Sequence, residues 1–153
     1  QFLGKLSSRF DQVVALDNAR EMLDQCESRA TQQGLTNIEF ILGDTSVAQA
    51  KGLKADCLLL NMVLHHNPTP ADIIIDCANL LNKEGVLLVT DLCAHDQEWV
   101  RNSCGDLWLG FEPEELTRWA KMAGLTEGNS LYLTQRNGFR IQLRQFSAGC
   151  TAL

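Results

Sequence analysis

Apolar and polar positions alternate with two different periods along the chain, which predicts strands separated by helices. Short apolar runs predict four strands, at residues 12–16, 38–42, 55–60 and 86–90. Apolar residues three and four apart predict amphipathic helices at residues 1–6, 19–33, 71–82 and 113–122. Shorter or weaker helical signals lie at residues 45–51 and 97–102.

The last part of the chain has a different pattern. Alternating runs at residues 131–135 and 139–143 flank Asn137 and Gly138, a pair typical of a tight hairpin turn. Repeated strand–helix units followed by a hairpin predict one α/β domain over residues 1–153. Its fold class is a doubly wound, mostly parallel sheet with helices on both faces and an antiparallel hairpin at the C-terminus.

Several predictions concern single side chains. Asn18 is expected to cap the helix that follows it, and Met22 is expected to lie on the buried stripe of that helix. The first strand, at residues 12–16, is expected to be buried on both faces. Arg140 and Arg144 share one face of the last strand, and we expect both to face solvent.

Composition and charge narrow the function classes. With 153 residues, 45% of them hydrophobic, the chain is typical of an ordinary globular domain. A net charge of −6 disfavours nucleic acid as a partner, and no apolar run is long enough to span a membrane. The six cysteines form no CxxC pair, so we expect reduced thiols and a cytoplasmic location.

Polar residues end the predicted strands in a consistent way. Asp17, Asp44, Asn61 and Asp91 each follow an apolar run directly or after one glycine. Ligands of open parallel sheets bind beyond the carboxyl ends of the strands, where an acid can accept hydrogen bonds from the hydroxyls of a ribose. Capping of the next helix is the alternative role of any single one of these residues. The four together favour a ligand site.

The segments that contain these residues resemble class I S-adenosylmethionine-dependent methyltransferases, a family with a Rossmann-like fold. The resemblance is strongest to the small-molecule branch that includes quinone-biosynthesis enzymes, and to the methyltransferase half of fusions with ArsR-type regulators. The matching segments are VVALDNAREML at 13–23, EFILGD at 39–44, ADCLLLNMVLHH at 55–66, LLNKEGVLLVTD at 80–91 and WLGFEPEEL at 108–116.

The resemblance implies roles for particular residues and a reaction. Asp17 would hold the ribose of the cofactor, with Asn18 beside the adenine. Asp44 would accept from the adenine amino group, with Thr45 next to it. Asn61 and Met62 would lie along the methionine part. The implied reaction is transfer of a methyl group from S-adenosylmethionine to a small-molecule acceptor.

The resemblance also places the acceptor near the two adjacent histidines. His66 is the candidate general base or substrate contact, and His65 is a weaker candidate. Cys93, His95 and Cys104 could bind a soft metal, but their spacing is not a recognised zinc pattern, so no metal site is expected. The segment from Asp91 to Glu115 contains seven acids and one base, which disfavours anionic acceptors.

The first strand and the glycine-rich loop of the resembled family have no counterpart in these residues. We expect the chain to be truncated at its N-terminus, just after that loop. Three alternatives are open: the strand lies upstream in a longer protein, a second copy supplies it in a strand-exchanged homodimer, or its two neighbours pair directly. The alternative function is therefore a catalytically inactive binding or assembly module. A dehydrogenase half is less compatible with the paired histidines and the hairpin.

Overall fold

The fold is described from a computed structural model, which covers residues 2–149. Helices and strands alternate from the start of the chain to residue 92, after which two helices precede the hairpin. The α-helices are α1 Phe2–Ser7, α2 Arg20–Gln32, α3 Thr45–Ala50, α4 Pro70–Leu80, α5 Trp99–Cys104 and α6 Pro113–Met122. The strands are β1 Val13–Asp17, β2 Ile38–Leu42, β3 Ala55–Asn61, β4 Leu81–Leu92, β5 Leu125–Thr134 and β6 Arg140–Ala148. A 3-10 turn at Leu64–His66 follows β3.

The chain divides into two compact units, Gln1–Lys51 and Gly52–Leu153. In the first unit, β1 and β2 form a parallel two-stranded sheet whose register pairs Val13 with Ile38 and Asp17 with Leu42. Helix α2 contacts both strands and buries Leu23 and Ala30. This short βαβ unit brings the carboxyl ends of β1 and β2 to the same edge.

The second unit contains a four-stranded sheet in the order β3-β4-β6-β5. Strands β3 and β4 are parallel, whereas β6 is antiparallel to both β4 and β5. The β5–β6 hairpin turns where the sequence predicts, and Gly138 has a φ of +87°. Parallel ladders followed by an antiparallel hairpin confirm the predicted α/β fold class. Direct pairing of β1 with β3 is not among the ladders of the described strands.

Two apolar clusters cover opposite faces of this four-stranded sheet. Leu87 and Val89 of β4 pack with residues of α4 and α6 in the larger cluster. Leu92, at an odd spacing from them and so on the other face, packs with Val100 of α5 and with Phe139. Helices therefore cover both faces, as the doubly wound prediction requires.

Three predictions about the first unit are wrong in detail. Helix α2 begins one residue later than predicted, so Ala19 occupies the cap position and Asn18 caps nothing there. Met22 is half exposed because the buried face of α2 passes through Leu23 and Ala30 instead. Strand β1 buries Val13, but Val14 on its other face is exposed, so only one face is covered.

The prediction that Arg144 faces solvent is also wrong, whereas Arg140 is exposed as expected. Arg144 is 2% exposed and points under α6. Its guanidinium donates to the carbonyl oxygen of Pro113 at 2.8 Å, to Thr117 Oγ1 at 2.7 Å, and to the carboxylate of Glu127. A buried cation is tolerated here because an ion pair and these acceptors replace its water.

Two findings concern the whole described chain. No helix within residues 2–149 is both long enough and apolar enough to cross a membrane. The described cysteines are all free thiols, at positions 26, 57, 77, 93 and 104. Cys150 lies outside the described residues.

Candidate functional site

In the first unit, two aspartates lie at the same carboxyl edge of the β1–β2 sheet. Asp17 ends β1 in register with Leu42 of β2, and its carbonyl oxygen accepts a hydrogen bond from the Gly43 N–H at 2.9 Å. Asp44 directly follows Gly43 in the chain. The backbones of these two acids therefore lie at one sheet edge, as the strand-end pattern predicted, while their joint role toward a ligand stays a prediction.

The two carboxylates differ in their local bonding. Oδ1 of Asp17 accepts from the Ala19 N–H at 2.8 Å, and the side chain is half buried. Oδ1 of Asp44 caps α3 by accepting from Ser46 Oγ at 2.5 Å and from the N–H groups of Ser46 and Val47 at 3.0 and 3.4 Å. The capping role and the strand-end position thus occur together at Asp44.

These bonds keep Asp44 a good acceptor. The hydrogen bond from the Ser46 side chain outweighs the opposing effect of burial, and together with the backbone N–H groups it lowers the pKa of Asp44. In both acids the hydrogen bonds to the described residues use Oδ1. Oδ2 of each is thus available to a nucleoside, which Asp17 could grip by its ribose and Asp44 by an exocyclic amine.

Two neighbours of these acids were predicted to flank the same ligand. Asn18 is exposed and directly follows Asp17 at the sheet edge. Thr45 is half buried and begins α3 beside Asp44. Their predicted contacts with an adenine stay predictions.

In the second unit, β3 ends at two predicted site residues, Asn61 and Met62. Asn61 is exposed. Met62 has a φ of +57°, in the left-handed region, and its N–H donates to the carbonyl oxygen of Thr90 at 2.8 Å. A non-glycine residue in this region is strained, and such strain is concentrated at functional sites. The predicted role of both residues toward a methionine moiety stays a prediction.

The next residues along the chain form a buried acid–imidazole pair. His65 Nδ1 lies 2.6 Å from Asp91 Oδ1, and both side chains are almost fully buried. Asp91 itself is held at the end of β4, because its Oδ2 accepts from the Leu64 N–H at 2.9 Å and its Oδ1 from the Leu92 N–H at 2.8 Å. The imidazole orientation of His65 is thus fixed by groups on β4 and the 3-10 turn.

The charge state of His65 is set by opposing effects. Burial is the largest one and favours the neutral ring, but the hydrogen bond that His65 donates to Asp91 and the charges of Asp91 and Asp106 together outweigh it. The net result is a raised pKa for His65. This side chain therefore binds a proton more tightly than an exposed histidine does.

His66 is the predicted catalytic residue, and its ring is exposed. The two histidine rings are in contact, with centroids 4.0 Å apart. His66 Nδ1 lies 3.4 Å from the carbonyl oxygen of Gly105 and 3.7 Å from Asp106 Oδ1. The geometry allows an external molecule to reach the ring, while its role as a base stays a prediction.

Sequence reasoning missed Asp106 and undervalued His65 and Asp91. Asp106 lies in the loop after α5, 41 positions from His65 in the chain, and no periodic signal links the two. Asp91 was singled out as a polar strand end facing a ligand, but it is fully buried and positions His65. The one available signal was the concentration of acids between Asp91 and Glu115.

Comparison with known proteins assigns a family to the stretch of chain that contains the aspartates of the first unit and the histidines of the second. Residues 4–133 match a family described as a methyltransferase domain. The chain belongs to the class I methyltransferase family. The methyl donor of this family is S-adenosylmethionine, and the resemblance seen in the sequence is confirmed in this respect. The resemblance to fusions with ArsR-type regulators stays a prediction.

Known methyltransferases are similar to this chain in sequence and in structure. Ubiquinone biosynthesis O-methyltransferases of Coxiella burnetii strains are 25% identical over 126 residues, which cover 74% of this chain and 53% of the relative. This methyltransferase chain thus spans about half the length of the curated relatives that it matches.

Two solved structures show the same fold at low sequence identity. A protein of Bacillus halodurans C-125 has a TM-score of 0.81 and 13% identity, with 97% of this chain and 87% of that chain covered. The N-methyltransferase NodS of Bradyrhizobium japonicum WM9, solved with S-adenosyl-L-homocysteine, has a TM-score of 0.75 and 14% identity over 96% of this chain and 71% of that chain. These similarities confirm the methyltransferase fold of the chain.

Proposed function

We propose that this chain carries out S-adenosylmethionine-dependent methyl transfer to a small-molecule acceptor. The observation that supports the proposal most is the adjacency of Asp17 and Asp44 at one sheet edge, each with Oδ2 outside its local hydrogen bonds. A nucleoside offers a ribose diol and an exocyclic amine as donors, and two ionised carboxylates side by side are complementary to them.

The roles of the chain's residues follow from the chemistry of the reaction. S-adenosylmethionine supplies a methyl group on a sulfonium sulfur, which makes that methyl labile. Asp17 accepts from the ribose hydroxyls and Asp44 accepts from the adenine amine, so both hold and orient the donor. Positioning is the main contribution that a protein makes to such a transfer.

The small-molecule acceptor is supported by the curated relatives, whose name assigns them to ubiquinone biosynthesis. His66 is the group that we propose for removal of a proton from the acceptor, since its ring is exposed. The acids between Asp91 and Glu115 favour a neutral or cationic acceptor over an anionic one.

Titration calorimetry with S-adenosylhomocysteine tests the donor site. Because the chain spans about half the length of its curated relatives, binding is measured on this chain and on a chain extended by the sequence that precedes it in its gene. Asp17→Asn keeps an acceptor for the Ala19 N–H but loses the charge that faces the ribose. We expect its affinity to fall about 10- to 100-fold, equivalent to about 1.5–3 kcal/mol for hydrogen bonds to a charged group.

The matched control is Asp24→Asn, which removes the same charge from an exposed position on α2. Its affinity is expected to stay within about twofold of the unmodified chain. Equal losses in both variants would contradict a specific role of Asp17. Failure of both chain lengths to bind would contradict the proposed activity and favour a non-catalytic binding or assembly module.

A further inference from the structure

We propose that His65, His66 and Asp106 form a binding site for a divalent transition-metal ion of the zinc class. No metal site was expected from the sequence, in which the spacing of Cys93, His95 and Cys104 matches no recognised zinc pattern. The structure brings one ligand atom from each within 4.8 Å of the other two. The site lies entirely in the second unit and does not depend on methyl transfer.

The distances between the ligand atoms are close to those that a metal requires. Asp106 Oδ1 lies 3.9 Å from His65 Nε2 and 3.7 Å from His66 Nδ1. Ligands of a tetrahedral zinc ion, bound at about 2.0–2.1 Å, are roughly 3.3 Å apart. Shifts of about 0.5 Å at Asp106, and of at most about 1.5 Å between the two rings, would complete the site.

Asp106 is a buried carboxylate whose nearest charged or titratable neighbours are the two histidine rings. Its side chain is 5% exposed, and no hydrogen bond to it is found among residues 2–149. The two imidazoles that it faces are beyond hydrogen-bonding distance. A bound cation between Asp106 and the two rings would pair with this buried carboxylate more closely than the imidazoles do at 3.7 and 3.9 Å.

His65 has the support that metal-binding histidines usually have. Asp91 holds Nδ1 of His65, which leaves Nε2 as the atom that faces Asp106. A carboxylate on the far nitrogen fixes the ring and increases the basicity of the nitrogen that binds the metal. Because Asp91 is anchored by two backbone N–H groups, this arrangement is rigid before any ion binds.

The loop that carries Asp106 is fastened to the same turn. The Leu107 and Trp108 N–H groups both donate to the carbonyl oxygen of His65, at 2.9 and 3.1 Å. Gly105 has a φ of +74° and turns the chain at the end of α5 toward the histidines. The third ligand is thus held against the first two by backbone contacts.

Binding would change the state of His66. Its Nδ1 would exchange the weak contact with the Gly105 carbonyl oxygen, at 3.4 Å, for a metal bond. Nε2 would keep the proton, so metal binding and service as a general base exclude each other at this ring. Two imidazoles and one carboxylate suit Zn²⁺, Co²⁺ or Ni²⁺ better than Mg²⁺ or Ca²⁺.

The test is titration of the full chain with Zn²⁺ against a chromogenic chelator, and with Co²⁺ by visible absorption. We expect one ion per chain and a Co²⁺ spectrum without thiolate charge-transfer bands, because the ligands are nitrogen and oxygen. Asp106→Asn and His66→Gln are each expected to weaken Zn²⁺ binding at least tenfold. Asp91→Asn, which acts through His65, is expected to weaken it about 10- to 100-fold.

The matched controls are Asp96→Asn and His95→Gln, which remove a carboxylate and an imidazole that do not belong to the proposed metal site. Both are expected to bind Zn²⁺ as the unmodified chain does. Nitrogen-15 shifts of the imidazoles give an independent readout, since the bound nitrogens should be Nε2 of His65 and Nδ1 of His66. Absence of binding, thiolate bands, or equal affinity in the Asp106 and Asp96 variants would overturn the proposal, without bearing on the donor site at Asp17.

Discussion

At the scale of single residues, the His65–Asp91 pair is a buried polar contact that joins two elements of the second unit. Both side chains are buried, and the bond between them joins the turn after β3 to the end of β4. A histidine whose pKa is raised by folding contributes stability only while the folded ring holds its proton. This pair therefore makes the stability of the second unit depend on pH.

The direction of this dependence follows from the raised pKa of His65. The stabilisation is fully present below the unfolded-state pKa of about 6.5 and is lost as pH rises through the higher pKa of the folded state. We expect the free energy of unfolding, from urea titrations, to decrease upward from about pH 6.5. His65→Asn, whose amide N–H can still reach Asp91, should remove this slope.

A matched variant is His66→Gln, which leaves the buried pair intact and should keep the slope. If His65→Asn retained the full pH dependence, the charge state of His65 would not be its source.

Residues were predictable from the sequence where a local pattern determines them. Asp17 and Asp44 follow strands that have clear apolar runs, so their common edge could be inferred from strand order alone. Arg144 and Asp106 could not be predicted in this way. The fold brings α6 to Arg144 from 27 positions away in the chain, and it brings the turn with His65 to Asp106 from 41 positions away.

At the scale of elements, α6 is the helix whose start is most clearly determined by its own sequence. Pro113 occupies its first turn, and the Glu112 N–H donates to Glu115 Oε2 at 2.9 Å. Its buried face carries Leu116, Trp119 and Ala120, which belong to the larger apolar cluster. The predicted bounds of this helix, 113–122, agree with the structure.

Glu115→Ala removes the acceptor that satisfies the Glu112 N–H at the start of α6. We expect a loss of about 1 kcal/mol in the free energy of unfolding, measured by urea titration. Glu115→Gln keeps an acceptor oxygen and should lose less. Glu114→Ala, at an exposed neighbouring position, serves as the control for loss of charge alone, and an equal effect there would contradict the capping role.

Elements with a strong period were predicted closely, as were the starts of α3 and α6, whereas the cap of α2 was not. Strand β2 and helix α6 have the predicted bounds, and the hairpin turns at the Asn-Gly pair. The start of α2 was placed one residue too early because Asn18 is a good capping residue by type. In the structure the Asp17 side chain, and not that of Asn18, accepts a hydrogen bond from the Ala19 N–H at the start of α2. This outcome depends on where β1 ends.

At the scale of the whole molecule, the second unit contains the larger apolar cores. Both hydrophobic clusters found among the described residues draw only on positions from Leu58 to Ala148. The three tryptophans of the chain, at 99, 108 and 119, also belong to this unit. Tryptophan fluorescence therefore reports on the second unit alone.

We expect a fragment of residues 52–153 to fold by itself, because its cores use no side chain from the first unit. Its near-ultraviolet circular dichroism and the urea midpoint of its fluorescence transition should stay close to those of the full chain. A fragment of residues 1–51 has a small core and should lack a cooperative transition. Loss of the near-ultraviolet signal in the longer fragment would contradict this expectation.

The backbone around Gly110 limits how the loop after α5 can be varied. Gly110 has a φ of +73°, and a Cβ there would lie 2.2 Å from the carbonyl oxygen of Cys93. Backbone hydrogen bonds join the same two segments next to Gly110, including the one from the His95 N–H to the Leu109 carbonyl oxygen at 2.9 Å. A library that varies this loop therefore has to keep glycine at 110, because any side chain there would collide with the backbone of Cys93.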